Sequence, residues 1–137
     1  MITNESWIKI ADEIGSNSYA KRAKVGAIIV KDGNIVSIGY NGTVSGADNS
    51  CEVWDSNKFV TKKDVLHAES NAISKCARSV HSSDGAHLYV SLSPCFNCSK
   101  LIIQSGITKV YYKDEYRDSS GIDFLKENGV YVEQIPI

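Results

Sequence analysis

Two short segments of the sequence carry the residue types that bind metal ions and move protons. The first is His-Ala-Glu at residues 67–69, and the second is Pro-Cys-Phe-Asn-Cys at residues 94–98. Two cysteines separated by two residues at the start of a helix bring their sulfurs close enough to share one tetrahedral ion. The partial positive charge of a helix N-terminus favours the thiolates that zinc binds. With His67 as the third ligand beside Cys95 and Cys98, the fourth position stays open for water, which is the pattern of a catalytic zinc site.

Glu69 is the candidate proton carrier of this site. It follows His67 by two residues and falls at the helical spacing of the apolar residues Ala72, Ile73 and Cys76. A carboxylate on an apolar stripe is costly unless it has a partner or a task. Zinc lowers the pKa of its bound water to about 7, and a carboxyl group beside that water can take up its proton and pass it on. The spacing therefore predicts that Glu69 is a general acid and base.

The four cysteines and three histidines allow two other interpretations of the Cys-x-x-Cys pair. A redox pair is one, although no redox-type fold pattern accompanies it. A structural zinc site is the other, with a fourth ligand from Cys51, Cys76, His81 or His87. That site would leave Glu69 without a role, so the open catalytic site is favoured. Cys76 lies on the apolar face of its predicted helix, where it is expected to pack in the core.

Length, charge and hydropathy limit the class of protein. A chain of 137 residues predicts a single domain over residues 1–137. Its net charge of −1, from 15 basic and 16 acidic residues, offers no basic surplus for a nucleic acid polymer. The longest apolar run, around residues 25–30, is far shorter than the roughly 20 residues of a transmembrane helix, and the first residues do not resemble a signal peptide. We therefore expect a cytoplasmic protein that binds neither polynucleotide nor membrane.

The elements that must position these residues follow from periodicity. Apolar residues at helical spacing predict a first helix between an N-cap at Thr3 and a stop at Gly15. Residues 25–31 and 34–40 are rich in Val and Ile and flank Asp-Gly, which predicts a β-hairpin. Residues 42–49 are a predicted loop, and no structure is predicted for residues 51–66. The remainder alternates between helices at residues 68–80, 96–105 and 119–128 and strands at residues 87–92, 109–112 and 130–134.

This order predicts an α/β fold. Strands that are joined through a crossover helix are nearly always parallel, whereas the hairpin strands are antiparallel. We therefore expect a mixed five-stranded sheet covered by helices. In the helix predicted at residues 68–80, Val80 is expected to share the buried face with Ala72, Ile73 and Cys76.

The combination of His-x-Glu with Pro-Cys-x-x-Cys is the signature of zinc deaminases that act on nucleobases, and on it the chain resembles the cytidine deaminase superfamily. Further segments resemble the deoxycytidylate deaminases of phages and bacteria. They are residues 24–30, the Gly-Tyr-Asn-Gly segment 39–42, residues 67–73, 88–95 and 104–107, and Tyr116. The resemblance extends from about residue 18 to the C-terminus and implies a three-layer α-β-α fold, with a mixed five-stranded sheet flanked by helices.

The resemblance implies hydrolysis of deoxycytidylate (dCMP) to dUMP and ammonia, a reaction that supplies dTMP synthesis. A water activated by zinc attacks C4 of the cytosine ring, and Glu69 carries a proton to N3 and then to the departing amino group. By the same resemblance His67, Cys95 and Cys98 hold the zinc.

The resemblance also implies which residues contact the nucleotide. Asn41 is expected to bind it near the sugar, while the backbone at Ala68 and the turn at Ser93 line the base pocket. A 5′-phosphate needs cationic or hydroxyl donors. The candidates are Arg22 and Lys24, for which a solvated loop face is the alternative, and Tyr116.

The chain departs from its relatives at one point. Many of them bind a second, structural zinc through additional Cys and His residues, one near the position of Ala20 and others in a longer insert before His-Ala-Glu. Only Cys51 remains here, so we predict one zinc per chain. The resemblance further implies a homohexamer that is activated by dCTP and inhibited by dTTP with Mg²⁺. Arg78 is a candidate effector or interface contact, with surface solvation as the alternative.

Two other functions stay open. One is a different deaminase of the same fold, acting on cytidine, cytosine, guanine or tRNA adenosine, although a tRNA enzyme should show a basic face. The other is a zinc-stabilised binding module without catalysis, in which Glu69 has no role.

Overall fold

The structure is a computed structural model that describes all 137 residues. The elements in chain order are α1 (Asn4–Gly15), β1 (Gly26–Lys31), β2 (Asn34–Tyr40), β3 (Glu52–Asp55), β4 (Lys58–Thr61), α2 (Ala68–Ala77), β5 (His87–Leu92), α3 (Phe96–Gln104), β6 (Lys109–Asp114), α4 (Ser120–Glu127) and β7 (Tyr131–Gln134). A five-stranded mixed sheet with strand order β2-β1-β5-β6-β7 forms the middle layer. The predicted α/β fold with a mixed five-stranded sheet is confirmed. None of the four helices has the length and apolar character needed to cross a lipid bilayer.

The sheet separates two apolar cores. In β1, Ala27 and Ile29 contribute to the core beneath α2, α3 and α4, while Ile28 and Val30 contribute to the core beneath α1. All four side chains are buried, because successive residues of a strand point to opposite faces and both faces of this strand are covered. The result is a three-layer sandwich with α1 on one side and the other three helices on the opposite side.

The pairing of the strands follows the predicted connections. Strands β1 and β2 are antiparallel, β1 pairs antiparallel with β5, and β5, β6 and β7 are parallel. The β1–β2 turn places Asp32 and Gly33 at φ 52° and 77°, the left-handed values that a type I′ turn requires. The Asp-Gly signal thus predicted this hairpin correctly.

Residues 51–66, for which no structure is predicted, contain a second hairpin. Strands β3 and β4 form a separate two-stranded antiparallel sheet. Its turn residues Ser56 and Asn57 have φ of 49° and 67°, again the geometry of a type I′ turn. Because Ser-Asn is a weaker turn signal than Asp-Gly, the sequence pattern does not reveal this hairpin.

The predicted end of the second helix is wrong. Helix α2 ends at Ala77, and Val80 is 98% exposed instead of lying on the buried face. The Ser79 hydroxyl donates to the Cys76 carbonyl at 2.7 Å and accepts the His81 amide at 3.0 Å. A serine that bonds the backbone on both sides offers the chain an alternative to continuing the helix.

Candidate active site

The predicted metal ligands come together where two helices begin. His67 is the residue before α2, and Cys95 is the residue before α3; both have extended backbone, with φ/ψ of −72°/159° and −73°/170°. Glu69 lies in the first turn of α2, and Cys98 lies in the first turn of α3. The site therefore lies in the positive potential of two helix N-termini, which favours thiolates and a carboxylate.

The ligand atoms have the spacing of a tetrahedral zinc site. His67 Nδ1 lies 3.4 Å from Cys95 Sγ and 3.3 Å from Cys98 Sγ, and the three ligand atoms lie within 4.8 Å of one another. Zinc bonds of about 2.05 Å to nitrogen and 2.3 Å to sulfur, at a tetrahedral angle, separate the two atoms by about 3.6 Å. One nitrogen and two sulfurs form a donor set that suits zinc, so these residues fit the ion.

Neighbouring groups shift the pKa values of the two thiols in opposite directions. The hydrogen bond with Cys98, and then that with His67, lower the pKa of the Cys95 thiol to about 4. The hydrogen bond with Cys95 and burial raise the pKa of the Cys98 thiol, while the hydrogen bond with Cys95 raises the pKa of His67. The surroundings therefore favour the thiolate at Cys95, while Cys98 would have to lose its proton to bind zinc.

The carboxyl group of Glu69, two residues after His67, has a raised pKa. Its side chain is buried, with 3% exposure, and burial raises its pKa to about 7 despite the opposing hydrogen bond to its own backbone. A carboxyl group that titrates near neutrality can both accept and donate a proton. This environment distinguishes Glu69 from a surface carboxylate, which would be ionised throughout the neutral range.

A cavity of about 270 Å³ opens beside these groups. Its volume lies just below the usual range for small-molecule sites, about 300–1,000 Å³. Of the residues predicted from the sequence, it is lined by His67, Ala68, Glu69, Ser93, Cys95, Asn41, Arg22 and Tyr116. Cys98 is buried outside the lining, and Lys24 is exposed and also outside it. The fold thus brings together nearly all of the predicted site.

Asn41 and Ser93 hold the walls of the cavity. Asn41 Oδ1 accepts the Val25 amide at 2.9 Å, and its Nδ2 donates to the Ala23 carbonyl at 2.7 Å. Ser93 Oγ accepts the Tyr116 amide at 2.6 Å. Asn41 therefore fixes the chain before β1, and Ser93 fixes the segment that follows β6. Their predicted contacts with a nucleotide stay predictions.

The unpredicted β3–β4 hairpin supplies one wall. Cys51, Glu52 and Thr61 all line the cavity, and Glu52 is buried, with 7% exposure. The signal that could have found them is the pair of four-residue segments, Glu-Val-Trp-Asp and Lys-Phe-Val-Thr, separated by two residues. From the sequence alone Glu52, the first residue of β3, is expected to be a surface charge, because only the packing of the hairpin against the cavity buries it.

The fold and this site define a class of protein. An α-β-α sandwich that carries His-x-Glu and Pro-Cys-x-x-Cys at two adjoining helix N-termini has the arrangement of the zinc deaminases of nucleobases. The family described as cytidine and deoxycytidylate deaminase zinc-binding region matches residues 1–114. The chain belongs to the cytidine and deoxycytidylate deaminase family.

Individual relatives agree with this assignment. Deoxycytidylate deaminase of enterobacteria phage T4 is 34% identical over 169 residues, covering 94% of this chain and 88% of the phage protein. The human deoxycytidylate deaminase is 41% identical over 123 residues, covering 84% and 67%. The crystal structure of dCMP deaminase from cyanophage S-TIM5, in complex with dCMP and dUMP, superposes with a TM-score of 0.91 at 48% identity, over 96% of this chain and 95% of that one. Because the T4 alignment is longer than this chain of 137 residues, the T4 protein carries inserted residues that this chain lacks.

Proposed function

We propose that this protein is a zinc-dependent hydrolase that converts dCMP to dUMP and ammonia and so supplies dTMP synthesis. The observation that carries the proposal is the buried Glu69 carboxyl, which lines the same cavity as the metal ligands His67 and Cys95. The cyanophage dCMP deaminase, 48% identical to this chain, binds dCMP and dUMP, which supports the choice of substrate.

The residues of the site divide the chemistry between them. His67, Cys95 and Cys98 would hold zinc, which when bound supplies a Lewis acid that lowers the pKa of water to about 7. Glu69 takes up one proton of the attacking water and delivers it to N3 of the cytosine ring. It then takes the remaining proton from the hydroxyl added at C4 and passes it to the amino nitrogen, which leaves as ammonia while the C4 carbonyl forms. Ala68 and Ser93 line the cavity, and we propose that they contact the base.

The cavity also offers donors for a 5′-phosphate. Arg22 and Tyr116 line it, and a guanidinium can bind a phosphate through two parallel hydrogen bonds. Lys24 lies outside the lining and would act only as a nearby positive charge. Asn41 is proposed to contact the sugar.

The proposal extends to stoichiometry, assembly and regulation. We infer one zinc per chain, a single domain over residues 1–137 and a homohexamer. We also infer activation by dCTP and inhibition by dTTP with Mg²⁺. The resemblance to phage and bacterial deoxycytidylate deaminases supports the assembly and the regulation. Sedimentation tests the homohexamer, and dCMP turnover in the presence of each effector tests the regulation.

A substrate panel tests the activity. Release of ammonia from dCMP, CMP, cytidine, cytosine and guanine is measured in parallel on the zinc-loaded protein, and we expect the highest kcat/KM with dCMP. Strong turnover of cytidine with little turnover of dCMP would reject the nucleotide assignment. Absence of turnover with all five would favour a tRNA adenosine deaminase or a binding module.

A further inference from the structure

Glu52 is a buried carboxylate that the proposed reaction does not use. It begins β3, lines the cavity and is 7% exposed. Its Oε2 accepts the backbone amide of Lys21 at 2.8 Å and that of Arg22 at 3.0 Å. Two amide donors on one oxygen compensate for much of the cost of burying a charge, and they fix where the Lys21–Arg22 backbone lies.

Lys21 and Arg22 join the whole β3–β4 hairpin to the rest of the protein. Arg22 Nη1 donates to Thr61 Oγ1 at 3.2 Å, and Thr61 is the register partner of Glu52 across the hairpin. Apart from bonds to the residues that flank them, residues 52–61 form no other hydrogen bond to the rest of the chain. The two residues at the base of the hairpin therefore hold Arg22 from both ends, by its backbone and by its side chain.

This arrangement leaves the charge of Arg22 available. The one salt bridge of the protein joins Lys113 to Asp12, so no carboxylate, that of Glu52 included, pairs with the Arg22 guanidinium. Glu52 thus fixes Arg22 through its main chain without neutralising its side chain. A cation that is held in a cavity wall and has no anionic partner suits an anionic group of a ligand.

We propose that Glu52 is a positioning residue that latches the β3–β4 hairpin to the Lys21–Arg22 backbone and so holds the Arg22 guanidinium where it meets the phosphate of a nucleoside monophosphate. This inference rests on the proposed function for the identity of the ligand. The latch itself is a property of the hydrogen bonds, and it can be tested separately.

Steady-state kinetics with dCMP test the role of the latch. We expect Glu52→Ala to raise the KM for dCMP about tenfold, because Arg22 loses its fixed position against the phosphate, while kcat changes less than about twofold. Glu52→Gln keeps an acceptor oxygen and should recover most of the loss. In Arg22→Gln the KM rises by a similar factor, and adding Glu52→Ala to Arg22→Gln should cause no further rise, since both changes remove the same interaction.

Product inhibition shows whether the effect passes through the phosphate. The ratio of the inhibition constants of 2′-deoxyuridine and dUMP should fall about tenfold in Glu52→Ala and in Arg22→Gln alike. Asp55→Asn is the matched control, because Asp55 is an exposed carboxylate near the tip of the same hairpin, with only the Ser56 hydroxyl beside it at 3.4 Å. A fall in kcat with unchanged KM in Glu52→Ala, or losses that multiply in the double variant, would overturn the proposal.

Amide hydrogen exchange examines the latch without any substrate. Exchange at Lys21 and Arg22 should be faster in Glu52→Ala than in the parent and unchanged in Asp55→Asn; equal rates in all three proteins would refute the latch. If Glu52→Ala does not fold, Glu52→Asp, whose shorter side chain draws the carboxylate away from the two amides, replaces it in the kinetic and exchange comparisons. If the parent protein does not turn over dCMP, the proposed function fails while the exchange result still decides whether the latch exists.

Discussion

Two buried carboxyl groups face one cavity, and their surroundings give them different roles. Glu52 accepts two backbone amides, so its position is tied to the main chain. Burial instead raises the pKa of Glu69 to about 7, which makes it able to exchange a proton at neutral pH. Residue type alone does not distinguish the two, whereas the neighbours of each side chain do.

The proton-carrier role predicts the effect of Glu69→Gln. The amide has nearly the same shape and leaves the three ligands in place, but it cannot take up a proton. We expect kcat for dCMP to fall about 10³-fold, within the range of general acid–base catalysis, with zinc content and melting temperature close to those of the parent. Turnover, metal analysis and thermal unfolding are the measurements; unchanged turnover would exclude the catalytic role and favour the binding module.

The three-ligand site predicts how metal content depends on each cysteine. Loss of a residue that only orients a ligand typically lowers metal affinity about 10–100-fold, and loss of a ligand itself should lower it at least as much. We therefore expect Cys98→Ala to weaken zinc binding by more than about a hundredfold. Cys76 is buried in the core and bonds the His81 carbonyl at 3.8 Å, so Cys76→Ala should keep one zinc per chain. Metal analysis after dialysis measures both; two tightly bound zinc ions in the parent would contradict the single site.

At the scale of elements, local sequence patterns are enough to predict most of the helices and strands. The four helices and the five strands of the main sheet are found within about three residues at each end, because periodicity and the Asp-Gly turn identify them. The β3–β4 hairpin was missed, since its turn places Ser56 and Asn57 in left-handed conformations that other contacts must support. The same holds for the site. The residues of the two motifs can be predicted from the sequence, whereas the role of Glu52 cannot, because tertiary packing places it in the cavity wall.

Close packing of α4 against the zinc ligands predicts the effect of Gly121→Ala. A Cβ at Gly121 would lie 2.2 Å from the Pro94 carbonyl oxygen and 2.7 Å from the Cys95 carbonyl carbon, both of them backbone atoms that cannot turn aside. We expect the substitution to destabilise the protein by about 1–3 kcal/mol and to weaken zinc binding. Chemical denaturation and zinc titration measure the two effects.

The neighbouring position provides the control for this element. Ser120 begins the same helix and is exposed, so Ser120→Ala should change stability by less than about 0.5 kcal/mol. Equal stability of the parent and Gly121→Ala would mean that α4 can move away from the ligand loop without cost.

At the scale of the whole molecule, the two cores share the same strands. Residues of one core alternate with residues of the other along the same strands: Leu88 and Val90 face α2, α3 and α4, while Tyr89 between them faces α1. Release of either layer therefore exposes one face of strands whose other face is still packed. This shared use of the strands supports the proposal that residues 1–137 form a single domain.

It predicts a single unfolding transition. Ile28→Ala in the core beneath α1 and Leu88→Ala in the core on the opposite side should each cost about 2–5 kcal/mol, and each should shift every probe equally. In a Trp54→Phe background the fluorescence of the other tryptophan, Trp7, reports the α1 side, since Trp7 is buried there, while far-ultraviolet circular dichroism reports the whole chain. We expect the two denaturation curves to coincide in the parent and in both variants. A Trp7 transition that precedes loss of secondary structure would instead make α1 a separately unfolding unit.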